Sequence, residues 1–189
     1  MEIYGYVTIA HGTYDEWRSA VIGNKYDVDG FPSVQPFQCW DLVAEFWNNI
    51  GFPQNYPLTG PNQSAYECWS VNRDNNISYD GNTYFDLIED YHNIKRGDVV
   101  VFDSNVGAGT GHIGFADQDY TSGALLIDIL GENETLLDPS VQVVGYSLAN
   151  FLGAFRYKGW QVHPHINRQK HKFPWYLYTN RRNSNYLTF

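Results

Sequence analysis

Between Cys39 and Ile50 apolar residues recur every three or four positions, at Leu42, Val43, Phe46, Trp47 and Ile50, and Gly51 and Pro53 close the run. That spacing predicts an amphipathic helix with Cys39 near its N-terminus. A shorter helix is expected from Asp15 to Ile22, with Trp17, Ala20 and Val21 on one side. The period then changes. Val99 to Phe102 is a short apolar run behind the polar turn Lys95-Arg96-Gly97-Asp98, which reads as a buried strand. His112 to Ala116 follows the glycine loop Gly107 to Gly111, and Ala124 to Leu130 follows the turn Asp117 to Gly123. Val141 to Tyr146 and Gly153 to Tyr157 are further strand candidates, while Thr83 to Ile88 and the acidic turn after it lead into Lys95. Lys25 to Phe37, with two prolines and DVDGFP, reads as loop. Gly51 to Asn82, with Pro53, Pro57 and Pro61, reads the same way apart from a compact aromatic cluster at Ala65 to Trp69. One main helix followed by a meander of antiparallel strands is an α+β arrangement.

The chain has 189 residues, 43% of them hydrophobic, which suits one core and makes a single domain the default. No eighteen apolar residues run together, and the first ten residues lack a basic segment ahead of an apolar one, so neither a membrane partner nor a signal peptide is expected. The net charge is -9, and it is unevenly spread. Every acidic residue stands at or before Asp138, whereas Arg168, Lys170, Lys172, Arg181 and Arg182 lie beyond Trp160. The division expected is therefore an acidic body, residues 1–160, and a basic aromatic C-terminal tail, residues 161–189, containing FPWYLY. Such a tail either folds back on the body or contacts an anionic wall polymer or a neighbouring subunit. The acidic body argues against nucleic acid as a partner.

Cys39 and Cys68 are too few for a disulfide framework and belong to no C-x-x-C pair. A cysteine heading a helix sits where unpaired N–H groups and the helix dipole favour the thiolate, the nucleophilic form. A nucleophilic thiol needs a base, and His112 suits best because it opens a strand directly after a glycine loop, where backbone approaches a substrate closely. Cys68, between Glu67 and Trp69 in the aromatic cluster, reads as a small core hydrophobe. Asp27-x-Asp29-Gly30, with Asp41 after the cysteine, has calcium-like spacing of hard oxygen ligands on a tight loop. A plain Asx turn with Asp41 supporting the helix N-terminus accounts for the same residues.

Three segments in order, FQCWDLVAEFW, RGDVVVFDSNVGAGTGHIGFA and IDILGEN, resemble the CHAP domain (cysteine, histidine-dependent amidohydrolase/peptidase) of phage lysins, phage tail proteins and bacterial wall hydrolases. The resemblance covers about residues 25–157. It implies a papain-like fold, with the catalytic cysteine heading a helix packed on an antiparallel sheet. By position it implies Cys39 as nucleophile, His112 as general base, and Asn133 as the residue closing the third motif. Many family members carry a glutamate two residues before that asparagine; here the place is Gly131, with Glu132 adjacent. Asn133 is therefore expected to orient the imidazole, with Glu132 as the weaker candidate. The backbone N–H of Cys39, with the Gln38 side chain, is expected to form the oxyanion hole. Some family members hold calcium on this D-x-D-G segment, which implies a structural ion on Asp27, Asp29 and Asp41; no organic cofactor is expected. The implied activity is hydrolysis of an amide or peptide bond of bacterial peptidoglycan, from the host cytoplasm at lysis or from a virion tail. The alternative is a phage tail component, docked to tail proteins through residues 161–189, whose hydrolase activity is subordinate or lost. A cellular papain-type protease fits the chemistry but not the glycine-flanked histidine motif.

Overall fold

The computed structural model describes residues 12–160 apart from 29–36, 54, 75–77, 80–81 and 135–137. The basic tail, residues 161–189, therefore lies outside the described residues.

Among the described residues, three α-helices cover one side of a sheet. The first, α1 (Tyr14–Val21), starts with a capping box in which Thr13 Oγ1 accepts from the Glu16 N–H and Glu16 accepts from the Thr13 N–H. It buries Tyr14, Trp17 and Val21, residues spaced by three and four. The second, α2 (Cys39–Asn49), has the expected bounds and buries Leu42, Val43, Phe46 and Trp47. The third, α3 (Glu67–Asp74), falls where a loop is expected. Ser64-x-x-Glu67 is the spacing of a capped helix start, and Glu67 accepts the N–H groups of Ser64 and Asn62 at 3.2 and 3.1 Å. The prolines and asparagines before it hide so short a helix from periodicity.

A two-stranded ribbon, β1 (Ser78–Tyr79) and β2 (Asn82–Thr83), precedes six antiparallel strands: β3 (Phe85–Ile88), β4 (Val99–Phe102), β5 (His112–Ala116), β6 (Leu126–Gly131), β7 (Gln142–Ser147) and β8 (Phe151–Tyr157). The sheet order is β3-β8-β4-β5-β6-β7. The expected meander holds only from β4 to β7, because β8 returns to pair with both β3 and β4. In sheet order β7 and β8 lie four places apart, roughly 19 Å in a flat sheet. Only Leu148–Asn150 join them, a span of at most about 14 Å. The sheet must therefore curl, and it does: Tyr146 of β7 stacks on Phe102 of β4, with ring centroids 5.0 Å apart.

Alternation along β4 serves two cores. Val99 and Val101 face the cluster under the helices, and Val100 and Phe102 join a second cluster with Ile88, Ile127, Ile129 and Leu148. The helix-side core is dense in rings. Phe46 meets Trp17 at 5.4 Å and Phe115 at 5.2 Å, and Trp47 stacks on Phe85 at 4.4 Å. Trp160 closes it, stacking on Phe46 at 5.0 Å and donating from Nε1 to the Gly97 carbonyl at 3.1 Å. Arg18 of α1 ties the helix layer to the turn after β5, with Nε 2.7 Å from Asp117. Phe46 against Phe115 also brings α2 across β5, which sets the N-terminus of one beside the first residue of the other.

Candidate active site

Cys39 is the first residue of α2 and is partly open to solvent, whereas Cys68 is buried and desolvation pushes its thiol well above the ordinary range. His112 is the first residue of β5 and only 4% exposed. Its ring lies within interaction range of the Cys39 thiol, which favours the charged imidazole. Nε2 of the same ring meets Oε1 of Glu134 at 2.9 Å, which leaves Nδ1 for the sulfur. The Glu134 side chain is fully buried, and its second oxygen accepts from the Tyr146 hydroxyl at 2.6 Å. Tyr146 also lies parallel to the imidazole, with centroids 4.5 Å apart and planes 10° apart. Burial opposes charge on His112, but the neighbouring Cys39 and Glu134 outweigh it, and the imidazole is pushed up to about 10.

Local sequence explains the approach. Gly111 has φ +75°, and a Cβ there would lie 2.7 Å from both the Phe102 carbonyl oxygen and Tyr66 Cβ. Glycine alone allows the loop ahead of His112 to press against Tyr66, just before α3. Gly114 plays a similar part between strands, since its Cβ would lie 2.6 Å from Ile129 Cγ2. Gly131 ends β6, and a Cβ there would fall 2.9 Å from His112 Nε2 and overlap the Glu134 carboxylate. Asn133 then takes φ +59°, a left-handed conformation that asparagine tolerates, and its N–H donates to the Pro139 carbonyl at 3.0 Å. This turn carries Glu134 back to the imidazole.

Two sequence expectations are corrected by this geometry. The group on His112 Nε2 belongs to Glu134, not to Asn133 or Glu132. Glu132 points elsewhere: it is fully buried, its Oε1 accepts the Tyr26 N–H at 2.6 Å, and burial pushes its carboxyl up to about 9. The signal for Glu134 was the empty side chain at Gly131 together with the turn-forming Asn133. Gln38 caps α2 in extended conformation beside Cys39, and its N–H donates to Asp41 Oδ2 at 2.8 Å.

The calcium expectation divides. Asp41 is fully buried, and its other oxygen accepts the Val28 N–H at 2.9 Å, so both oxygens face backbone donors of the loop before the cysteine. Asp27 is exposed and Asp29 lies outside the described residues. Among the described residues no three His, Cys, Asp or Glu side chains are grouped closely enough to hold a metal ion, and Asp29 is not among those residues.

The fold, three helices against a curled antiparallel sheet, is one found in an endolysin. The solved structure is that of wild-type LysIME-EF1, which superposes with a TM-score of 0.50 at 20% identity over 77% of this chain and 64% of the other. In sequence, 91 residues, 48% of this chain, are 35% identical to a D-alanyl-L-alanine endopeptidase of Streptococcus phage B30. The chain spans only 18% of the length of that relative. No family model matches the chain. No described helix is long and apolar enough to cross a membrane.

Proposed function

We propose that this chain is a peptidoglycan hydrolase that cuts an amide or peptide bond of the bacterial wall by a cysteine mechanism, as a CHAP-type lysin domain. The observation that supports this is the buried contact in which Glu134 holds Nε2 of His112 while the same ring lies beside Cys39 at the start of α2. His112 takes the thiol proton, and the Cys39 sulfur attacks the scissile carbonyl. Negative charge then develops on the carbonyl oxygen beside the start of α2, where the Cys39 N–H, lacking an intrahelical acceptor, and the Gln38 side chain would donate to it. The imidazolium protonates the departing nitrogen, which leaves an acyl thioester. Water, deprotonated by His112, hydrolyses the thioester and restores the thiol. Glu134 fixes the tautomer and balances the imidazolium.

The name of the phage B30 relative favours a D-alanyl-L-alanine linkage as the first substrate to test. On this proposal the protein acts on the wall after reaching it from the host cytoplasm. Purified Gram-positive walls provide the test. The wild-type protein should clear them and Cys39→Ala, still folded, should not; equal clearing by the variant would end the proposal. Mass spectrometry of the products separates the bonds, because an endopeptidase leaves stem peptides on the glycan and an amidase strips them off.

A further inference from the structure

Tyr146 lies in β7, at the edge of the sheet, yet it makes two separate contacts with the relay. Its hydroxyl donates to Glu134 Oε2 at 2.6 Å and its ring covers one face of the His112 imidazole at 4.5 Å. We propose that Tyr146 is a positioning residue: the hydroxyl holds the carboxylate turned so that Oε1 faces the imidazole, and the ring keeps water from that face. This deepens the proposed function and rests on it.

A carboxylate on a three-bond side chain has a broad terminal torsion, so one hydrogen bond to a histidine leaves it free to rock. Here each oxygen has its own donor in a dry site, which removes that freedom. The ring is itself fixed, since Phe102 stacks on it with planes 29° apart. Burial, and then the Glu134 charge, push ionisation of the phenol well above the ordinary tyrosine range, so it remains a donor wherever the enzyme is folded. Among the described residues, the charged and titratable groups around the imidazole are Cys39 from α2, Glu134 from the turn after β6, and Tyr146 from β7.

The test reads His112 by NMR in the full chain without substrate. The wild-type protein should show a downfield, exchange-protected Nε2–H proton. Tyr146→Phe keeps the ring but removes the hydroxyl; it should lose that proton to exchange and lower the imidazolium midpoint by about one pH unit. On a soluble wall peptide kcat should fall roughly tenfold with KM unchanged. Glu134→Gln is the reference and should lose the same proton. A Tyr146→Phe spectrum and midpoint like wild type, with Glu134→Gln altered, would overturn the positioning role and leave the proposed relay standing. If neither variant moves His112, the relay itself is wrong and the inference falls with it.

Discussion

Glu134 reaches His112 through space that the missing side chain of Gly131 leaves open. A Cβ at residue 131 would lie 2.9 Å from the imidazole Nε2 and would overlap the carboxylate. Gly131→Ala must therefore displace one of the two partners. Gly131 has no positive φ, so the backbone accepts alanine, and folding should survive with a small loss in melting temperature. Wall clearing should fall about a hundredfold, short of the roughly ten-thousandfold loss when a catalytic histidine loses its orienting group outright. A Gly131→Ala protein with wild-type clearing would show that Glu134 does not need that gap.

Three neighbouring polar residues, Glu132, Asn133 and Glu134, make different contacts, and substitution should separate them. Glu134→Ala should lower kcat by about a hundredfold or more, because the imidazole loses its tautomer and charge partner. Glu132→Gln should leave kcat within a few-fold, since its contact is with the Tyr26 N–H. Asn133→Gly, which keeps the left-handed turn, should also remain active. Clearing rates of the three variants at equal concentration of folded protein decide the matter. An inactive Asn133→Gly would return the orienting role to the asparagine side chain.

Where the sequence was legible, one interaction dominated locally. The α2 stripe and the β4 run are dictated by burial, and the structure has them at Cys39–Asn49 and Val99–Phe102 as expected. Cys39 and His112 were legible because a helix start and a glycine-flanked strand start are local features. The return of β8 between β3 and β4 was not, since strand order is set by pairing across the chain and Gly153 to Tyr157 reads alike at any place in a sheet. Nor was Glu134. Period-two reasoning extends β6 through Glu132 and Asn133, whereas β6 ends at Gly131 and the chain turns at Asn133. A side chain delivered by a turn obeys φ at one residue rather than alternation along a strand.

Glu132 predicts a pH dependence of stability. Burial, and then the nearby Asp41, Cys39 and Asp27, push its carboxyl from 4.5 to about 9. One oxygen accepts the Tyr26 N–H, and the other is buried without a hydrogen-bond partner among the described residues, an environment that suits the neutral acid. Between those two values the folded protein keeps a proton that the unfolded chain releases. Its contribution to stability is thus complete below pH 4.5 and declines as pH rises toward 9, with a slope of at most about 1.4 kcal/mol per pH unit. His112, also raised, adds a decline of the same sign only above its ordinary value of 6.5. Glu132→Gln should flatten urea-derived stability between pH 5 and pH 6.5 and exceed wild type near pH 8. Equal slopes for the two proteins would mean that Glu132 is ionised in the fold.

Asp41 links the loop before the cysteine to the helix that carries it. One oxygen accepts the Gln38 N–H at 2.8 Å, completing the cap of α2, and the other accepts the Val28 N–H at 2.9 Å. Because the side chain is fully buried, each amide would be left without that acceptor in Asp41→Ala. Hydrogen bonds to a charged group contribute about 1.5–3 kcal/mol each, and an orphaned buried N–H adds its own desolvation penalty, so a loss of about 3 kcal/mol is expected. Asp41→Asn keeps one good acceptor and should lose roughly half as much. Activity should fall in both, even where the protein stays folded, because the Cys39 N–H and sulfur take their position from this cap. Denaturant melts of the two variants, with clearing measured well below the midpoint, test both parts. An Asp41→Ala protein of wild-type stability would show that residues 25–28 and Gln38 are held by other contacts.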